Sequence, residues 1–403
     1  MTMRQTPSSP FTYPDDAPQE DDNVKPPIFI VGTMRSGSTM LRLVLDSHPD
    51  IAMGEETGFM GALAATKAIP NWRYGRQWYG RLGWTDAELD ARLREFYAGM
   101  FERYAMSQGK QRWGDKTPLH SWHMEEMARI FPDAVFVAIV RHPCAVVGSL
   151  KKRFHWDVSD AAEYWATTNA EVLRRAADLG DERFVLLRYE DLVAAPEGVL
   201  RELTSWLGEP WSPDVLRHNE VQAAKGAPRL VDGSTSTRQG ISAQRTNRWR
   251  DELDAEERRR VAAVAADMAA FFGYALDDAA DMAPLTAPGS ARQMLLTSGD
   301  LGRRLAAHEP TLSLEPQAPV LAVPEMDVAD LGRRLQQAES SLARIRARPV
   351  VRFSEAVRRC QRQLGLPRPQ DVLSIVHGLR RRSTRLAARS TGQGSSENRR
   401  RAS

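Results

Sequence analysis

IFIVGTMRSGSTMLRLVLDSHP, residues 28–49, holds a short buried-type apolar run, a loop of Gly, Ser and Thr, and a helix carrying Leu41, Val44 and Leu45. Strand, loop and helix in that order cradle an anion. Glycines let backbone approach it, successive N–H groups point inward, and the helix N-terminus adds partial positive charge. Residues 32–39 match the nucleotide-binding pattern GxxxxGK[ST] at Gly32, Gly37 and Thr39, but Ser38 stands where the pattern has its lysine. The cation comes earlier, as Arg35. A kinase or GTPase needs that lysine on its β- and γ-phosphates and an acidic partner for Mg²⁺, whereas the next strand-like run, AVFVAIV at 134–140, leads into Arg141. An ordinary Gly-rich strand-to-helix turn is the bland alternative, so the loop needs support from the rest of the chain.

Outward from the loop, IFIVG at 28–32, AVFVAIV at 134–140 and FVLLRY at 184–189 read as strands. They alternate with helical stretches at 119–130, 159–179, 196–207 and 254–273. Alternation with continuous apolar strands predicts an α/β fold, a P-loop-type mostly parallel sheet flanked by helices, with a C-terminal helical or disordered extension. Residues 1–26, rich in Pro, Asp and Ser, read as a disordered lead-in, and 27–274 as the main domain. The Ala/Pro/Thr/Asp-rich stretch 275–325 reads as a linker, although DLGRRL occurs in it at 300–305 and again at 330–335. Val328, Leu331, Leu335, Ala338, Leu342 and Ile345 predict an amphipathic helix over 326–348 that docks on the main domain or forms a homo-oligomer through 326–347.

The basic tail, 349–403, completes the chain. Residues 344–403 hold sixteen Arg and no Lys against Glu355, Asp371 and Glu397, a net +13; with the whole chain at +3, residues 1–343 carry −10. Val372, Ile375, Val376 and Leu379 beside that Arg cluster suggest a basic amphipathic helix suited to peripheral contact with an anionic membrane, or to docking on another protein. Phe353 is the tail's one aromatic, so base stacking is not signalled and nucleic acid is not expected. Two cysteines, Cys144 and Cys360, make no disulfide framework, and 1–26 lacks an apolar leader core, so the expected location is cytoplasmic.

A second group of motifs supports the loop. VRHPCAVVGSLKKR at 140–153 places Arg141 at a strand's C-terminal edge, where α/β sheets bind ligands, with Ser149 on the following helix and Arg153 one turn beyond. DIAMGEETGF contains Glu56, and GDKTPLH at 114–120 contains Lys116. Together these motifs resemble the sulfotransferases that use 3′-phosphoadenosine 5′-phosphosulfate (PAPS), closest to the tyrosylprotein sulfotransferases and their bacterial relatives, over about residues 27–274. The resemblance implies that Arg35, Ser36, Gly37, Ser38, Thr39 and Met40 hold the 5′-phosphosulfate and that Arg141 and Ser149 hold the 3′-phosphate, to which Arg153, on the same helix face as Ser149, would add charge. Tyr189, Ser236 (or Ser234) and Arg248 would close the nucleotide crevice. It places Glu56 as the catalytic base that deprotonates a hydroxylated acceptor, with Arg35 and Lys116 on the sulfonate, and it implies PAPS as donor without a metal. Met53 stands where the tyrosylprotein enzymes have Cys, and their membrane anchor has no counterpart here. The acceptor class, whether glycolipid, carbohydrate, metabolite or tyrosine, therefore stays open.

Each residue also has a plainer reading. Glu55 and Glu56 can be solvated loop carboxylates, Lys116 a surface lysine and Arg141 a strand-end ion-pair residue. His48 and His142, the other candidate bases, stand beside turns and read as structural. The aromatics Trp72, Tyr74, Trp78, Tyr79 and Trp84 within 57–110 are expected on the acceptor side or in the core. The competing functions are a P-loop nucleotide kinase and a binding protein acting through its basic tail.

Overall fold

The computed structural model describes residues 25–68, 81, 83–227, 230–231, 235–276 and 294–307. The Gly/Ser/Thr loop lies between β1 (Ile28–Val31) and α1 (Ser38–Asp46), and β2 (Ile51–Met53) follows. Two helices, α2 (Phe59–Ala68) and α3 (Asp86–Ser107), precede β3 (Arg112–Lys116). A 3₁₀ turn at Pro118–Trp122 and α4 (Met124–Ile130) lead to β4 (Val135–Val140). Next come α5 (Pro143–Phe154), α6 (Val158–Leu179), β5 (Phe184–Arg188), α7 (Tyr189–Ala194) and α8 (Pro196–Trp206). Helix α9 (His218–Ala224) precedes the small antiparallel pair β6 (Leu230–Val231) and β7 (Thr235–Ser236). The described chain ends with α10 (Trp249–Glu252), α11 (Ala255–Phe271), β8 (Leu296–Thr297) and α12 (Ser298–Ala307).

The sheet has the order β2-β3-β1-β4-β5-β8, with β8 antiparallel and the other pairings parallel, as the apolar runs predict. Both faces are buried. Phe29, Val31, Phe136 and Phe184 point into a core shared with α2–α6, α11 and α12, while Ile28, Ile30, Val137 and Val185 meet Leu41, Val44 and Leu45 of α1 and the leucines of α8. Strand order reverses at β1, whose neighbours are β3 and β4, so the loops leaving β1 and β4 open a crevice at the C-terminal edge.

The structure corrects two sequence readings and adds two strands that the apolar runs did not reveal. Residues 275–325 are not linker throughout: Leu296 pairs with Leu186 of β5, and Leu295, Leu296 and Leu301 are buried, so 294–307 belong to the main fold. The first DLGRRL copy lies in α12; the second lies outside the described residues, as do the 326–348 helix and the basic tail. The lead-in ends before 26, because Lys25 pairs with Glu209 and the Pro26 carbonyl accepts from Arg112. Finally, RWGDK at 112–116, which carries no apolar run, is a fully buried central strand, and IAM at 51–53 is the edge strand beside it.

Candidate active site

Backbone geometry shapes the loop first. Gly32 and Gly37 have φ of 136° and 99°, which glycine adopts without strain, and Arg35 between them takes the left-handed conformation at 67°, uncommon for a residue with a side chain. Space is equally limiting: a Cβ on Gly32 would come within 2.4 Å of the Ile139 carbonyl, and one on Gly37 within 2.4 Å of the Tyr189 ring. Side chains from elsewhere pin the loop. The Gly32 N–H donates to Ser121 Oγ (2.8 Å) and the Met34 N–H to the Tyr164 hydroxyl (2.8 Å), whose pKa burial pushes up to about 12. Gly37→Ala is expected to cost about 1–3 kcal/mol of stability through this overpacking, read by urea denaturation.

Two clusters meet at the loop. On one side Arg35 Nε donates to Ser149 Oγ (2.9 Å), Arg141 Nη1 donates to the Arg35 carbonyl (3.2 Å), and the Arg141 guanidinium lies 4.3 Å over the Tyr189 ring. On the other, Lys116 at the end of β3 donates to Thr39 Oγ1 (3.0 Å) and pairs with Glu56. The Lys116 side chain is 1% exposed and that of Glu56 45%, so a buried cation carries a carboxylate that reaches solvent. Glu56 is held from both flanks. Arg42 Nη1 donates to the Met53 and Gly54 carbonyls (2.9 Å each), Thr57 Oγ1 donates to Asp115 (2.7 Å), and the Gly58 N–H donates to Thr117 Oγ1 (3.2 Å).

Beside the loop opens a cleft of about 130 Å³, lined by Arg35, Gly37, Ser38, Thr39, Met40, Arg141, Tyr189 and Ser236 of the expected set, whereas Ser149, Lys116 and Glu56 are not in its lining. Ser36 is fully buried in the loop with its hydroxyl unpartnered. Arg153 and Arg248 are exposed and do not line this cleft; Arg248 approaches Glu252 at 4.0 Å. Ser234 lies outside the described residues, as do Trp72, Tyr74, Trp78 and Tyr79, while Trp84 is exposed. Sequence reading missed Leu43, His218, Gln239 and Ser242 in the lining, and the supports Arg42, Asp115, Ser121 and Tyr164. Arg42 shares its helix face with Ser38, Thr39 and Asp46, so nothing in the sequence set it apart from a solvated polar stripe.

Both candidate histidine bases are structural. His142 accepts from the Cys144 N–H (3.2 Å), donates to the Ala275 carbonyl (2.9 Å) and stacks on Trp249 at 4.6 Å, and burial pushes its pKa down to about 4. His48 meets the Pro210 carbonyl (2.8 Å) and accepts from the Asp50 N–H (3.1 Å). His48, Asp50 and Glu209 draw together, but both His48 nitrogens are committed and Glu209 pairs with Arg112 (3.0 Å) and Lys25 (2.6 Å). That cluster is an ion-pair junction.

A glycine loop whose cation comes from Arg35 thus meets a lysine–glutamate pair through Thr39. Residues 26–213 match the model of a sulfotransferase family and 154–273 that of a sulfotransferase domain. Protein-tyrosine sulfotransferase 1 of Danio rerio is 30% identical over 279 residues, covering 66% of this chain and 75% of that protein. The chain belongs to the sulfotransferase family. Protein-tyrosine sulfotransferase 2 of Gallus gallus is 28% identical over 262 residues, covering 62% of this chain and 69% of its own. Among solved structures, the sulfotransferase domain of the Synechococcus PCC 7002 olefin synthase is 25% identical, with 62% and 98% coverage and a TM-score of 0.43. By its curated relatives this sulfotransferase is an enzyme close to the tyrosylprotein branch, and the kinase alternative gives way; the basic tail lies outside the described residues.

Proposed function

We propose that this sulfotransferase takes its sulfonate from PAPS and passes it to an acceptor hydroxyl, with Glu56 as general base. The observation that carries this reading is the meeting of the Arg35–Ser149–Arg141 cluster and the Thr39–Lys116–Glu56 cluster on one loop. The phosphates would lie against residues 35–40 and the α1 N-terminus, with Arg141 and Ser149 on the 3′-phosphate. Arg153 and Arg248 would join only by reorienting.

Transfer is an in-line displacement at sulfur. The acceptor oxygen forms its bond to sulfur as the bond to the bridging phosphate oxygen breaks, and 3′-phosphoadenosine 5′-phosphate (PAP) leaves with that electron pair. Glu56 takes the acceptor proton, and its exposure lets an incoming hydroxyl reach it. Lys116 and Arg35 stabilise the sulfonate oxygens and the leaving phosphate. An ammonium shared between sulfonate and Glu56 ties the two halves of the reaction to one side chain. Relatives named for protein tyrosine make a phenolic hydroxyl the first acceptor to test.

Calorimetry should show PAP binding at least about tenfold more tightly than ATP with Mg²⁺, the size of one charge-assisted hydrogen bond to the 3′-phosphate. Equal or tighter binding of ATP would overturn the donor reading. Transfer of ³⁵S from labelled PAPS to tyrosine peptides or host extracts then identifies the acceptor.

A further inference from the structure

Helix α1 starts at the glycine loop, where Ser38, Thr39 and Met40 line the cleft, and ends at Asp46, a buried carboxylate. The two Asp46 oxygens serve different parts of the molecule. Oδ1 accepts from the N–H of Met53, three residues before Glu56 (3.0 Å), while Oδ2 accepts from Gln222 Nε2 on α9 (2.8 Å) and from Lys225 Nζ just beyond it (2.7 Å). Lys110 closes the arrangement by donating to the Asp46 and Ile51 carbonyls. Burial alone would raise the Asp46 pKa, but Lys110, Lys225 and the donated hydrogen bonds hold it below the ordinary carboxylate value, so the group is charged at neutral pH. One turn back on the same helix face, Arg42 donates to the Met53 and Gly54 carbonyls. Both peptide groups of Met53 are therefore fixed to α1.

We propose that Asp46 is a positioning residue for the general base, holding the Met53 N–H so that Glu56 keeps its spacing from the sulfonate site at the other end of α1, an assignment that rests on the reading of Glu56 above. A hydrogen-bonded helix of nine residues is stiff, so what its first turn binds and what its last turn grips stay in register. The side chain must be a carboxylate because it serves three donors at once. An asparagine has one acceptor oxygen; the charged Lys225 claims it, and the amide NH₂ then faces the Met53 N–H, donor against donor.

The test measures the rate of ³⁵S transfer from saturating PAPS to host extract, with calorimetry of PAP on the same full-length proteins. Asp46→Asn is expected to slow transfer by about tenfold to a hundredfold, the cost of misplacing a reacting group by about 1 Å, with PAP affinity within about threefold of wild type. In a Glu56→Gln background the same substitution should cost less than about threefold, because a misplaced base matters only where there is a base. Adding Lys225→Met to Asp46→Asn should restore most of the lost rate: with the ammonium gone, Gln222 can turn its own carbonyl to the asparagine NH₂, and the asparagine oxygen returns to Met53. A merely structural role gives neither the non-additivity nor the rescue. Should Asp46→Asn fail to fold, Arg42→Met, which releases Met53 from its carbonyl side, is read by the same comparison with Glu56→Gln. Wild-type transfer in the folded asparagine variant, an undiminished loss in the Glu56→Gln background, a PAP affinity that falls in step with the rate, or no recovery with Lys225→Met overturns the proposal. If Glu56→Gln alone keeps most of the transfer rate, the failure lies in the base reading, and the positioning role falls with it.

Discussion

Glu56→Gln is expected to lower kcat by about 10²–10⁴-fold, the range a positioned general base contributes, while PAP affinity changes by less than about threefold. The asymmetry follows from placement. Glu56 is partly exposed, lies outside the cleft lining and pairs with Lys116, so glutamine keeps its size and loses only the proton-accepting charge. Steady-state kinetics with saturating PAPS and calorimetry with PAP separate the two effects. A variant that keeps most of its kcat would move the base elsewhere, and His48 and His142 cannot serve, since their ring nitrogens are committed to backbone groups.

Lys116→Met should cost about 10²–10³-fold in kcat, the scale found when one charge-stabilising donor is removed from a water-poor site. Methionine fills the buried channel along β3 and removes only the ammonium, so the melting temperature should change little compared with the loss of turnover. Lys116→Arg is not expected to rescue, because a planar fork cannot replace a compact ammonium between Thr39 and Glu56. If the methionine variant retains turnover within about threefold of wild type, Lys116 is a strut for Glu56 and Thr39 rather than a stabiliser of the transferring group.

Much of the site was legible because its chemistry sits in short local motifs. A glycine loop with Arg35, a strand-end Arg141 and a Ser149 two helical turns on can be read without a fold, since strand–loop–helix geometry is local. The supports were not legible. Tyr164, 130 residues from Met34, and Ser121, 89 residues from Gly32, hold the loop through pairings that no sequence period encodes. The same holds for His218, which joins the cleft wall because α9 packs against α1.

The sequence by itself determined the class of fold: IFIV, VFVAIV and FVLLR are apolar on both faces, and such strands are stable only in a parallel sheet covered by helices on both sides. It also determined the tight glycine loop after β1, since Gly32 and Gly37 are required by conformation as well as by space. Only the tertiary structure decided that RWGDK is a central strand. Its charges are tolerable inside because Arg112 meets Glu209, Asp115 meets Thr57, and Lys116 meets Thr39 and Glu56, partners contributed by distant segments. Burying a charge is unfavourable until its partner is in place, and the partner's place is a property of the folded chain.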